Sequence, residues 1–161
     1  MGLNIKKSFA TDPKLEADGV WMEVGDGASL LIARTGNPKH SELVARHVRP
    51  IARRIEKGLV PKEKTRKLLA KIYARSILLG WKGIEDETGA EIPYSAAKAE
   101  ELLHDLPDFF DLVQSLADDR AAFRAEEIEE DAKHLGEGSG GKSSGSVSSP
   151  TPEAGPGSSP E

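Results

Sequence analysis

The chain has 161 residues, with 22 basic and 27 acidic side chains for a formal charge of −5, and 37% of it is apolar. That length suits one ordinary domain. The lack of cysteine excludes a disulfide scaffold, a thiolate zinc site and a cysteine nucleophile, and no apolar run approaches the roughly 18 residues that cross a bilayer.

Residues 1–18 read as an N-terminal arm with no secretory signal pattern, so a cytoplasmic location is expected. Residues 19–24 and 28–34 are two β-rich runs around Gly25, Asp26 and Gly27, which predicts a hairpin over 19–34. Asn37 and Pro38 mark a helix start. Val44, His47, Val48, Ile51 and Ile55 recur at helical spacing, predicting a helix over about 38–57 that closes at Gly58. Pro50 inside that span predicts a bend or a second start.

Pro61 opens a helix over about 61–80 that carries Leu68, Leu69, Ile72, Tyr73, Ile77 and Leu79. Ser95 is a cap for a short helix over 95–104. A long last helix is predicted over 107–135, with Phe109, Leu112, Val113, Leu116, Phe123 and Ile128 on its apolar side. The expected fold is mainly α: a small N-terminal β-hairpin followed by a compact bundle of about four helices, folded over 19–135.

Composition breaks at Gly136. Of the 26 residues from there on, seven are Gly, eight Ser and four Pro, and Val147 is the one sizeable apolar side chain. Ordering such a segment costs roughly 1–2 kcal/mol per residue, so 136–161 is predicted to be a disordered tail. The string from Gly136 to Ser143 fits the phosphate-binding pattern G-x-x-x-x-G-K-[ST]. It follows an acidic helix rather than a strand and enters no helix, so the match is read as chance.

Charge is segregated. Residues 34–82 hold fourteen basic and three acidic side chains, and residues 83–135 hold four basic and sixteen acidic ones. These stretches read first as the solvated outer faces of amphipathic helices; the alternative is that the acidic helix lies on the basic helices or meets them on a neighbouring copy, giving a head-to-tail homo-oligomer. Nucleic-acid binding by the two basic helices is disfavoured, because the chain is acidic overall and aromatic residues are not interleaved with the basic ones.

Catalysis finds no support. His40, His47, His104 and His134 show no metal-ligand spacing, and His47 reads as a core residue. The acidic groups Glu85, Asp86 and Glu87, and Glu126 and Glu127, read as solvated turns or helix ends. No catalytic residue, metal or cofactor is expected. Trp81, Ile84 and Tyr94 lie close in sequence and form either a lid over the core, which is favoured, or a patch that receives another protein's apolar helix.

Several strings stand in a characteristic order. Arg49-Pro50 is followed by the run from Leu78 through Gly80, Trp81, Gly83 and Ile84 to Asp86. Gly89, then Ile92 to Ser95, then Leu102 to Phe109, and Phe123 complete the series. Over about residues 21–135 this succession resembles the tail assembly chaperones of long-tailed bacteriophages and prophages. The resemblance implies a non-enzymatic protein of the infected or lysogenic host's cytoplasm, absent from the mature virion. It also implies that the chain binds the tape measure protein, keeps it soluble and helps recruit the major tail tube protein.

Many such chaperones have a longer frameshifted form. Residues expected to meet partners are Trp81, Ile84, Tyr94, Phe109, Phe110, Arg46, Arg49 and Arg53. The alternatives are a minor virion structural or head–tail joining protein, and a basic-helix regulator that binds nucleic acid.

Overall fold

A computed structural model describes residues 2–124. Its elements are α1 (Ile5–Phe9), α2 (Pro13–Asp18), β1 (Val20–Gly25), β2 (Ala28–Ile32), α3 (Pro38–His47), α4 (Ala52–Glu56), α5 (Lys62–Ser76), β3 (Leu78–Lys82), α6 (Ala96–Asp105) and α7 (Pro107–Asp118). Two 3₁₀ turns, Arg49–Ile51 and Ala121–Phe123, complete them. Expectations that fall on residues 125–161 lie outside the described residues: the end of the last helix with Ile128, the tail, the Gly136–Ser143 string, His134, and Glu126 with Glu127.

The three strands form one antiparallel sheet in the order β1-β2-β3. Met22 pairs with Leu30 and Leu30 with Trp81, while Trp21 pairs with Leu31 and Leu31 with Gly80. Side chains alternate across a strand, so Met22, Leu30 and Trp81 share one face with Ile32 and Leu78. Helices α5, α6 and α7 cover that face with Tyr73, Ala74, Ala99, Leu103, Val113 and Ala117. Each fully buried large side chain in this seam contributes about 1.5–3 kcal/mol. On the other face Trp21 stays 45% exposed, and its ring lies over the bare Gly80. Lys82 Nζ sits 4.2 Å from the centre of that ring.

This sheet overturns the expected hairpin with a bundle of about four helices. The helix expected over 61–80 stops at Ser76, and the chain continues as β3 rather than as a further helical turn. The run Leu78, Leu79, Gly80, Trp81 is continuously apolar, and such a run carries neither the helical nor the alternating period. Pairing with β2 decides it, with an irregularity at Leu79.

Pro50 falls in a 3₁₀ turn that divides the helix expected over 38–57 into α3 and α4. Helix α7 ends at Asp118, and Asp119 Oδ1 accepts the Ala121 N–H, turning the chain so that Phe123 is fully buried. The Phe123 carbonyl accepts the Asp12 N–H at 3.0 Å, which ties this turn to the N-terminal arm.

One buried polar group joins the layers. Asn37 Oδ1 accepts the His40 N–H at 3.0 Å and caps α3. Its Nδ2 donates to the carbonyls of Arg34 and Ser76, at 2.8 and 2.9 Å. Ser76 Oγ donates to the Ile72 carbonyl, so it accepts from His40 Nδ1, 3.1 Å away. The buried histidine is therefore His40, whereas His47 is half-buried on α3.

Asn37→Ala removes a cap and leaves the buried Ser76 carbonyl without its donor, whereas the Arg34 carbonyl keeps the backbone N–H of residue 37. Urea unfolding should show a loss of about 2–4 kcal/mol. Asn4→Ala, at the exposed cap of α1, should cost no more than about 1 kcal/mol. Equal losses would contradict this role for Asn37.

Candidate docking surface

Leu106 alone separates α6 from α7, and Pro107 opens α7 at a position where its missing N–H has no helical acceptor. This tight corner sets both helices against α5. It encloses a cavity of about 220 Å³ lined by Arg66, Leu69, Leu103, Pro107, Phe110 and Asp111. Leu103 is buried at the floor, and Arg66 and Asp111 are exposed at the mouth. Small-molecule pockets usually measure about 300–1,000 Å³. This one matches one or two bulky side chains of another polypeptide.

The corner is clamped to the start of α5. Arg66 Nη2 donates to the His104 carbonyl at 2.7 Å. The His104 ring lies between Asp105 Oδ1 at 2.9 Å and Glu63 Oε1 at 2.5 Å. Its hydrogen bonds to Asp105 and Glu63 raise its pKa above the ordinary value.

The structure gathers part of the expected partner-binding set. Trp81 is only 6% exposed; its Nε1–H donates to the Ile92 carbonyl at 2.7 Å. Tyr94 packs edge-on against it at 4.9 Å and donates its hydroxyl to the Leu78 carbonyl at 2.8 Å. With half-buried Ile84 they close the loop after β3 over the sheet, so Trp81 is core. Phe110 lies on α7 with its ring 4.7 Å from Tyr73 and lines the cavity, and Phe109 packs half-buried against the core.

Arg46, Arg49 and Arg53 are exposed on α3, the first 3₁₀ turn and α4, and none lines the cavity. Leu69, Leu103, Arg66 and Asp111 were not singled out from the sequence. Leu69 reads there as one of the apolar positions of the helix predicted over 61–80, Leu103 falls in the short helix over 95–104, and Arg66 is one of the fourteen basic residues of 34–82.

Helix α6 packs along α5, yet among the described residues no Lys or Arg ion pair joins the two charge fields. Among the described residues, Arg46 pairs with Glu42, Arg34 with Glu16 and Lys98 with Glu101, each within its own part of the chain. No Lys or Arg of 46–82 ion-pairs with an acid of 83–119 in that set. No group of three or more His, Asp or Glu among the described residues is placed to hold a metal ion. No helix among them is long and apolar enough to cross a membrane.

Two measurements check this geometry. Trp81→Phe keeps an aromatic ring but removes the Nε1–H donor and part of the buried indole, leaving the Ile92 carbonyl without its donor, so stability should drop by at least about 1–3 kcal/mol; an unchanged midpoint would contradict this role for Trp81. The second concerns pH. Burial lowers the pKa of His40, so the unfolded chain binds its proton more readily. Stability from His40 is thus lost as pH falls through the ordinary histidine value of about 6.5. His104 runs the other way: its contribution is present at low pH and fades as pH rises through its raised pKa. His104→Ala should therefore lose stability steadily from about pH 7.5 to about pH 5.5, and adding His40→Gln should flatten that slope. A flat profile in His104→Ala itself would contradict the assignment.

A family model described as YdaY prophage protein matches residues 35–134, from the loop before α3 past the end of α7. No curated protein and no solved structure matches the chain. The match supports a phage-related role without specifying tail assembly. The chain belongs to the YdaY prophage protein family.

Proposed function

We propose that this prophage protein is a tail assembly chaperone. It performs no chemistry, binds the tape measure protein, keeps it soluble in the host cytoplasm, and hands it on as major tail tube subunits assemble. The observation that carries this reading is the cavity at the corner of α5, α6 and α7. It combines an apolar lining of Leu69, Leu103 and Phe110 with a mouth flanked by Arg66 and Asp111. Such a cleft accepts an anchor side chain from an amphipathic helix, and one cation and one anion at the mouth select its orientation. Prophage family membership supports a phage-related role, and the ordered strings around Trp81, Tyr94 and Pro107 resemble those of tail assembly chaperones. A long helical client offers many such anchors in series. Weak single contacts then suffice, because neighbouring sites raise one another's effective concentration.

Co-expression with the tape measure protein of the same prophage tests this. The client's soluble fraction should rise severalfold and the two should co-purify. Leu69→Glu, which places a carboxylate at the half-buried wall of the cavity, should abolish both effects while circular dichroism stays native. Unchanged client solubility together with no co-purification would contradict the proposal, as would this protein appearing stoichiometrically in purified virions.

A further inference from the structure

The turn between α4 and α5 is built with an anomaly. The Gly58 N–H bonds to the Ile55 carbonyl at 3.0 Å, and the Leu59 N–H bonds to the Arg54 carbonyl at 2.8 Å. Gly58 takes the left-handed conformation, with φ of 69°. This is the two-bond helix ending in which the residue after the glycine ordinarily packs back on its own helix. Leu59 instead stands 62% exposed. Arg53, Arg54, Lys57 and Lys62, which flank it in sequence, are exposed and make no ion pair among the described residues. The result is a fixed apolar knob in a basic collar.

The complementary shape lies on the same chain. Between α6 and the loop after β3 is an open concavity of about 490 Å³. Ile92, Leu102 and Leu106 form its apolar part, and Leu106 is 50% exposed. Glu85, Asp86, Glu87 and Asp105 line it as well. Asp86 is engaged by Thr88 and Ala90 within its loop, and Asp105 by His104. The cation that lines it, Lys98, is held by Glu101. Glu85 and Glu87 form no ion pair among the described residues.

We infer that the occupant of this concavity is the Leu59 turn of a second copy of the chain. Leu59 meets Leu102 and Leu106, and the basic collar faces Glu85, Glu87 and Asp105. Knob and socket are different patches, so each copy keeps one of each and association is open-ended unless the rotation closes a ring. The socket shares no lining residue with the α5–α7 cavity, and self-association is measured without the client, so the two readings are tested separately.

Sedimentation velocity of the full chain tests it, with circular dichroism confirming that each variant is folded. The wild type should associate with rising concentration, and high salt should weaken that association. Leu59→Asp and Leu106→Asp, both at exposed positions, should each weaken it at least about tenfold, equivalent to about 1.4 kcal/mol. Mixing the two variants should restore a 1:1 heterodimer, because one retains the socket and the other the knob. A wild type monomeric at all concentrations would overturn the inference. So would association that survives both substitutions, or a mixture as monomeric as its parts. A monomeric wild type whose socket is protected only when the tape measure protein is bound would assign the concavity to the client instead.

Discussion

The side chain of Asn37 holds together the point on which the architecture turns. Helix α5 ends at Ser76 and the chain becomes β3 within two residues, so the C-terminal carbonyls of α5 have no helical partner and little access to water. Asn37 satisfies Ser76, and the Ala33 N–H satisfies Ile77 at 2.8 Å. Through its other atoms the same carboxamide starts α3 and fastens the loop leaving β2. That node adds a polar tie between the loop leaving β2 and the end of the helix that packs on the sheet. The nearby Thr35 N–H donates to the Ala117 carbonyl at 3.0 Å, which brings the end of α7 to the same place.

From this node outward, each layer positions the next. The sheet seats Trp81 beneath the loop that Tyr94 and Ile92 close, and that loop delivers Ser95, whose Oγ accepts the Lys98 N–H and caps α6. Helix α6 then runs back along α5 to the His104 clamp, and the one-residue corner at Leu106 turns the chain into α7. The cavity lies where this one-residue link turns the chain from α6 into α7 beside α5. Interior voids of this size are ordinarily closed by side chains. Here the mouth is ringed by charge and open, the arrangement a protein-binding cleft requires.

The sequence made local features legible where a single interaction decides them. Gly25, Asp26 and Gly27 take positive φ in the β1–β2 turn, Asn37 and Ser95 cap their helices, and Pro107 opens α7. Features decided by distant partners were not legible. Leu78 to Trp81 carry no period of their own, and only pairing with β2 makes them a strand. Phe123 fits the apolar stripe of a long helix, yet it reaches the core by a turn that Asp119 and the N-terminal arm stabilise. His40 and Ser76 lie 36 positions apart, so no local window joins them. Of the expected partner-binding residues, Trp81 is spent on the core, while Phe110 stands at the cleft beside Leu69 and Asp111, which only the tertiary arrangement brings together.

Charge tells a similar story. The sequence displays two opposed fields, but their positions in the fold decide whether they cancel. Among the described residues no row of ion pairs joins them; the polar links between α5 and α6 are those of His104 with Glu63 and of Arg66 with the His104 carbonyl. Exposed pairs would add little stability in any case. Amide hydrogen exchange of the protein, alone and bound to the tape measure protein, tests the central claim most directly. New protection confined to the α5 segment around Arg66 and Leu69 and to the α6–α7 corner from Leu103 to Asp111 is the predicted result. No change there on binding, or protection only on the open face of the sheet around Trp21, would contradict it.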